Sequence, residues 1–184
     1  VWDARYHVLK PFPIPHSWRV DRSFDWGSAK PFSVGWWAES DGTRVEVAPN
    51  KFRTFPRGSL IRIAEWYGCS DQPNVGLKMP SGKVALGIKE FEAGMRMRGP
   101  NGESLPMRVM PGPADSSIGD VNDEQSTSIK DTMARLGVHW LDADKGPGSR
   151  KNGWEKMREM FAASADPAPE AAGLWVFDTC RHFI

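Results

Sequence analysis

Strand-type and helix-type spacing divide this chain into two halves. Residues 19–25 (RVDRSFD) read as a short strand ending at Asp25. Residues 32–38 (FSVGWWA) are β-branched and aromatic, which favours a second strand. Asp41-Gly42 marks a hairpin turn before TRVEVA, and the basic, proline-containing stretch NKFRTFPRGS reads as a loop. Residues 60–67 (LIRIAEWY) alternate well enough for a third strand, so three antiparallel strands form a meander.

From residue 81 the period changes. Val84, Ile88, Phe91 and Met95 recur at helical spacing, and Gly99-Pro100 is placed to stop that helix. Residues 107–111 (MRVMP) lead into PADSSIGD as a short fourth strand. Ile129, Met133 and Leu136 make one helical face, with Ser128 and Asp131 as a capping box and Gly137 as the C-cap. VHWLDA (138–143) is a fifth strand, and KGPGSRKNG (145–153) a basic, glycine-rich loop. Asn152 can cap the helix over 154–164, PAPEA is a linker, and LWVFD (174–178) is a last strand. Prolines at 11, 13 and 15 make residues 1–18 an extended arm. The order β-β-β-α-β-α-β-α-β predicts an α/β fold over 19–184: a mixed sheet, three antiparallel strands and then alternating strands and helices, flanked by helices.

Composition narrows the class only a little. The chain has 184 residues, 40% hydrophobic and 26% charged, which suits one folded domain with an arm. No run of 18 apolar residues occurs, so no membrane span is expected. The first residues lack a secretory pattern and read as a segment entered mid-chain. Cys69 and Cys180 form no CxxC pair, which suits a reducing cytoplasm and argues against zinc. A net charge of +1 gives no global case for nucleic acid, so any such case rests on local patches.

The candidate chemistry lies in two carboxylates. Asp25 ends strand one and Asp115 follows strand four, 90 positions later. If those strands are neighbours, the acids converge at one edge. Two close acids repel unless a cation separates them. Mg²⁺ and Mn²⁺ take oxygen ligands and keep several waters, so two aspartates and a phosphate would suit them. Each acid has a plainer reading beside this one: an aspartate near a strand-to-turn glycine forms turns, and Asp-Ser-Ser caps loops and helices.

The segments FDWGSAKPFSVGWWAESDG, LIRIAEWYG, NVGL, PADSSIG and ARLGVHWLDADKGPGSRKNGWEKMREMF occur in order. Together they resemble the nuclease domain of phage terminase large subunits across most of residues 10–184. The resemblance implies an RNase H-like fold that cuts double-stranded DNA with two divalent ions, Mg²⁺ or Mn²⁺. It implies an ATPase domain in the same polypeptide, a small terminase subunit and a portal as partners, and the host bacterial cytoplasm as the location. Carried over by residue, the strand-one metal aspartate is Asp25 and the strand-four acid is Asp115. The family's third acid lies on a helix after the last strand. No match for it precedes Ile184, so 19–184 reads as C-terminally incomplete. No GxxxxGK[ST] motif occurs, and 1–18 would link motor to nuclease.

Glu65 ends strand three and could reach the metals, or be a solvated strand-end charge. Lys145, Arg150 and Lys151 sit among glycines and could follow a phosphate backbone, or be a solvated loop. Arg53 and Arg57 share that ambiguity. Asp120, Asp178 and the four histidines read as structural. Two other readings stay open: another RNase H-like nuclease of the junction resolvase or transposase type, or a non-catalytic DNA-binding or docking module.

Overall fold

The computed structural model describes residues 2–121 and 127–184. One helical turn, α1 (Ala4–His7), precedes the short strand β1 (Val8–Leu9). The meander follows as β2 (Arg19–Asp25), β3 (Ser33–Glu39) and β6 (Leu60–Tyr67). Between β3 and β6 lies a separate ribbon of β4 (Arg44–Ala48) and β5 (Lys51–Thr54). Then come α2 (Ser81–Ala93) and the hairpin β7 (Arg96–Arg98) and β8 (Ser104–Pro106). The chain continues through β9 (Val109–Met110), β10 (Pro113–Ala114), α3 (Ile129–Arg135) and β11 (Leu141–Asp142). It closes with α4 (Ser149–Ser164) and β12 (Leu174–Phe177).

The main sheet runs β1-β12-β6-β3-β2-β10-β11, with β9 also paired to β2. The β2–β3 and β3–β6 pairs are antiparallel, and every other pair in this sheet is parallel. This is the mixed α/β sheet expected from the element order. Helices cover both faces, as Trp36 and Trp37 show. Trp36 stacks on Phe91 of α2 with ring centroids 4.4 Å apart, while Trp37 packs into the smaller cluster with Met160 and Phe161 of α4. Among the described residues no helix is long and apolar enough to cross a membrane.

Several local expectations fail for identifiable reasons. The helix expected to reach Gly99 ends at Ala93, before Gly94. Beyond it Met97 is buried between exposed Arg96 and Arg98, which is the two-residue period of a strand, and Gly102, at a positive φ of 83°, helps close the β7–β8 turn. TRVEVA does not pair with β3. Its strand β4 pairs with β5, part of the stretch expected as a loop. Strand four is broken into β9 and β10 by Pro111-Gly112, because proline cannot donate to a ladder. The fifth strand keeps only Leu141–Asp142. Helix α4 starts at Ser149 behind Gly148, whose φ of 84° fits glycine, so Asn152 is not its cap. Arg150 and Lys151 therefore lie on the first turn of a helix, not in a loop. By contrast, Ser128 caps α3 through the Asp131 N–H, as its spacing suggested.

Residues 11–14 form neither helix nor strand, but α1 makes the first part of the arm helical, and Val1 lies outside the described residues. Phe12, Ile14 and Trp18 are buried in the main core, where Phe12 stacks on Phe55. Buried His7 donates from Nε2 to the Phe161 carbonyl at 2.8 Å, tying α1 to α4.

The most demanding core contact is a buried charge. Arg22 of β2 is 4% exposed, and its Nη1 donates to Glu92 of α2 at 3.0 Å. Its Nη2 donates to the His139 carbonyl, and its guanidinium lies over the Trp140 ring. Glu92 also accepts from Trp36 Nε1 at 2.9 Å. Removing one partner of such a pair strands the other in low dielectric. We therefore expect Glu92→Ala to destabilise the protein by about 3 kcal/mol in urea titration. An unchanged midpoint would show that Arg22 does not depend on Glu92.

Candidate active site

The acid pair is built by strand register. Ala114 of β10 pairs in parallel with Phe24 of β2, so the next residues, Asp115 and Asp25, leave adjacent strand ends side by side. Both partner residues are buried, and Phe24 stacks on Trp140 at 4.9 Å. The carboxylates therefore emerge from rigid, packed backbone, which fixes a ligand better than a free loop does. Gly112 makes the approach possible. A Cβ there would lie 2.0 Å from the Arg22 carbonyl oxygen.

The two acids differ electrically. Asp25 is exposed at the strand tip. Partial desolvation, and then the Asp115 charge, raise its pKa above the usual carboxylate value. Asp115 caps a short 3₁₀ turn, Ser116–Gly119. Its Oδ1 accepts from Lys145 Nζ at 2.8 Å and from the Ser117 N–H at 2.8 Å. Those bonds, Lys145 first, hold its pKa far below the ordinary range. The sign for stability differs accordingly. Asp115 contributes stability above its unfolded pKa, and loses it as pH falls. Asp25 contributes only at low pH, and loses it as pH rises through its folded value.

The other candidate residues are placed as follows. Glu65 lies on the same sheet face as Asp25, because Ser23 pairs with Gly35 and Gly35 with Glu65. It is two strands over and one pleat further in, about 10 Å across and about 7 Å along. Its Oε1 accepts from the His182 N–H at 2.6 Å and its Oε2 lies 3.5 Å from Arg62 Nη2, so it is occupied by the C-terminal segment. Lys145 sits directly on Asp115, while Arg150 and Lys151 follow on the first turn of α4. Asp120 is exposed beyond the 3₁₀ turn, Asp178 pairs with Lys10, and Arg53 lies over the Phe55 and Trp175 rings. Arg57 is exposed.

Arg62 escaped the sequence reading. Its side chain is 9% exposed, lies against the Trp37 and Phe183 rings, and covers Gly35 so closely that a Cβ would meet Nη1 at 2.6 Å. The one available signal was a glycine in the middle of strand two.

Among the described residues no group of three or more His, Cys, Asp and Glu is arranged to hold a metal. The pair itself fits a hard divalent ion: two carboxylates share one edge, and no protein group donates to Asp25 among the described residues.

No family model matches the chain, and no curated protein matches its sequence. Solved structures do match in fold. The large terminase of a thermophilic bacteriophage, in complex with ADP, superposes with a TM-score of 0.65 at 13% identity. The match covers 99% of this chain and 34% of that one. The P22 large terminase nuclease domain superposes with a TM-score of 0.60 at 13% identity, over 99% of this chain and 73% of that one. The fold is that of a terminase nuclease domain. It is RNase H-like, as the resemblance implied. The chain spans about a third of the length of the thermophilic phage protein.

In this terminase nuclease fold, two outcomes test the acid pair. Asp115→Asn should lower the Asp25 midpoint in a carboxyl ¹³C NMR titration, since one of its two raising influences is gone. An unmoved midpoint would mean that the charges do not meet. Gly112→Ala should force β10 away from β2 and lower the urea midpoint, by about 1–3 kcal/mol for overpacked backbone.

Proposed function

We propose that this chain is the nuclease domain of a viral DNA-packaging terminase, cutting concatemeric double-stranded DNA by phosphodiester hydrolysis. The observation that carries the reading is the parallel register that sets Asp25 beside Asp115, in a fold shared with terminase nucleases. Asp25 and Asp115 would hold Mg²⁺ or Mn²⁺ at the sheet edge. When bound, two such ions activate water and stabilise the leaving 3′ oxygen. Glu65, held by Arg62 and the His182 N–H two strands away, is not given a metal-binding role. Lys145, seated on Asp115, and Arg150 and Lys151, on the exposed first turn of α4, would contact phosphates without reading bases. Specificity of cutting would then be low.

The partners follow from the same proposal: an ATPase domain in the same polypeptide, a small terminase subunit, the portal, and double-stranded DNA, in the host bacterial cytoplasm. A second reading is favoured by one observation, the lack of a three-ligand group among the described residues. On that reading the domain binds or docks DNA without cutting it.

Plasmid cleavage in Mn²⁺ separates the two. The nuclease reading predicts nicking and linearisation by the wild type. It predicts a loss on the order of 100-fold or more in Asp25→Asn and Asp115→Asn, because each removes a charge that the ions require. Equal cutting by all three proteins would sink the assignment. DNA binding with no cutting would favour the docking module. Preference for branched or hybrid substrates would favour the junction resolvase or transposase type.

A further inference from the structure

Lys145 occupies an unusual place: it is the cation already seated on one of the two acids. Its Nζ lies 2.8 Å from Asp115 Oδ1, while Asp25 has no cation partner among the described residues. The ammonium group offsets the charge of one member of the pair and leaves the other without a cation beside it among the described residues. A divalent ion bridging both acids would lie within a few ångströms of this ammonium group, and two cations at that distance repel. One of them must move.

Lys145 is built to move. Its side chain is half exposed, and it follows Asp144 in a segment without helix or strand. Gly146, Pro147 and Gly148 follow, where Asp144 Oδ1 holds the Gly146 N–H at 2.8 Å and Gly148 takes a left-handed conformation. The loop backbone is thus fixed by a local turn, while the four-carbon stem of Lys145 is free to swing towards solvent. Arg150 and Lys151 stand on the next turn, on the exposed start of α4.

We propose that Lys145 is a resident counter-ion that couples metal loading to DNA binding. Without DNA it sits on Asp115 and competes with the divalent ion. A DNA phosphate draws it away, so duplex and metal strengthen each other's binding. The proposal rests on the metal-dependent nuclease reading and adds a regulation to that site. It makes Lys145 a positioning residue, whose loss should tighten metal binding while weakening DNA binding.

Calorimetric Mn²⁺ titration tests this in the wild type, Lys145→Met and Lys145→Arg, alone and with a short duplex carrying non-hydrolysable linkages. Lys145→Met should bind Mn²⁺ about threefold or more tighter than wild type without DNA, and should lose most of the enhancement by duplex, because coupling is reciprocal. Its DNA affinity should fall less steeply with salt, by about one phosphate contact. Lys145→Arg should retain both the competition and the coupling. Wild-type Mn²⁺ binding with Lys145→Met no tighter would overturn the role of Lys145 and leave the nuclease reading standing. If neither wild type nor Lys145→Met bound Mn²⁺, both would fall.

Discussion

The candidate site depends on one backbone contact: Gly112 pressed against the Arg22 carbonyl. Only a residue without a Cβ fits, since a methyl carbon there would lie 2.0 Å from the oxygen. That closeness sets β10 parallel to β2 with Ala114 opposite Phe24, and the neighbouring aspartates inherit the alignment. Arg22 is itself held from three sides, by Glu92 of α2, the His139 carbonyl and the Trp140 ring. The placement of Asp115 thus traces back through the sheet to a buried ion pair on its helix-covered face. Such a pair contributes little net stability, but it fixes which elements meet.

Placing two acids at one edge has an electrostatic consequence that the fold does not spread evenly. Asp115 receives two donors, one of them a cation, while Asp25 receives neither donor nor cation among the described residues. One carboxylate is therefore held ionised, and the other is held closer to protonation. The same sheet face carries a second charged unit, Arg62 with Glu65, sealed under Phe183 and the His182 N–H. Its charges are directed into the C-terminal segment instead of towards the acid pair, so this unit is closed while the acid pair is open to solvent.

Much of this was legible in the sequence, and the rest was hidden for physical reasons. Strand composition marked β2, β3 and β6, and the change of period marked α2 and α3. Cap chemistry placed the start of α3, because Ser128 and Asp131 satisfy each other locally. Strand β7 falls inside the stretch whose spacing predicts helix, because Met95 continues a 3.6-residue spacing by chance, while Met97 follows the strand period. The start of α4 was hidden because Gly148 supplies left-handed geometry without a capping side chain, and Gly153 lies inside the helix. Asp25 and Asp115 could be singled out as strand-end acids. Their adjacency could not be read locally, since it follows from a crossover and from glycine contacts 90 residues apart in sequence. The Lys145 contact was likewise a long-range outcome, not a motif.

The central claim is that this strand edge is a divalent-ion site. The most direct measurement is the anomalous scattering of Mn²⁺ in crystals of the chain grown with the ion. The account predicts density between Asp25 and Asp115, at about 2.0–2.3 Å from a carboxylate oxygen of each. Ions bound only elsewhere, or none at this edge under saturating Mn²⁺, would contradict it.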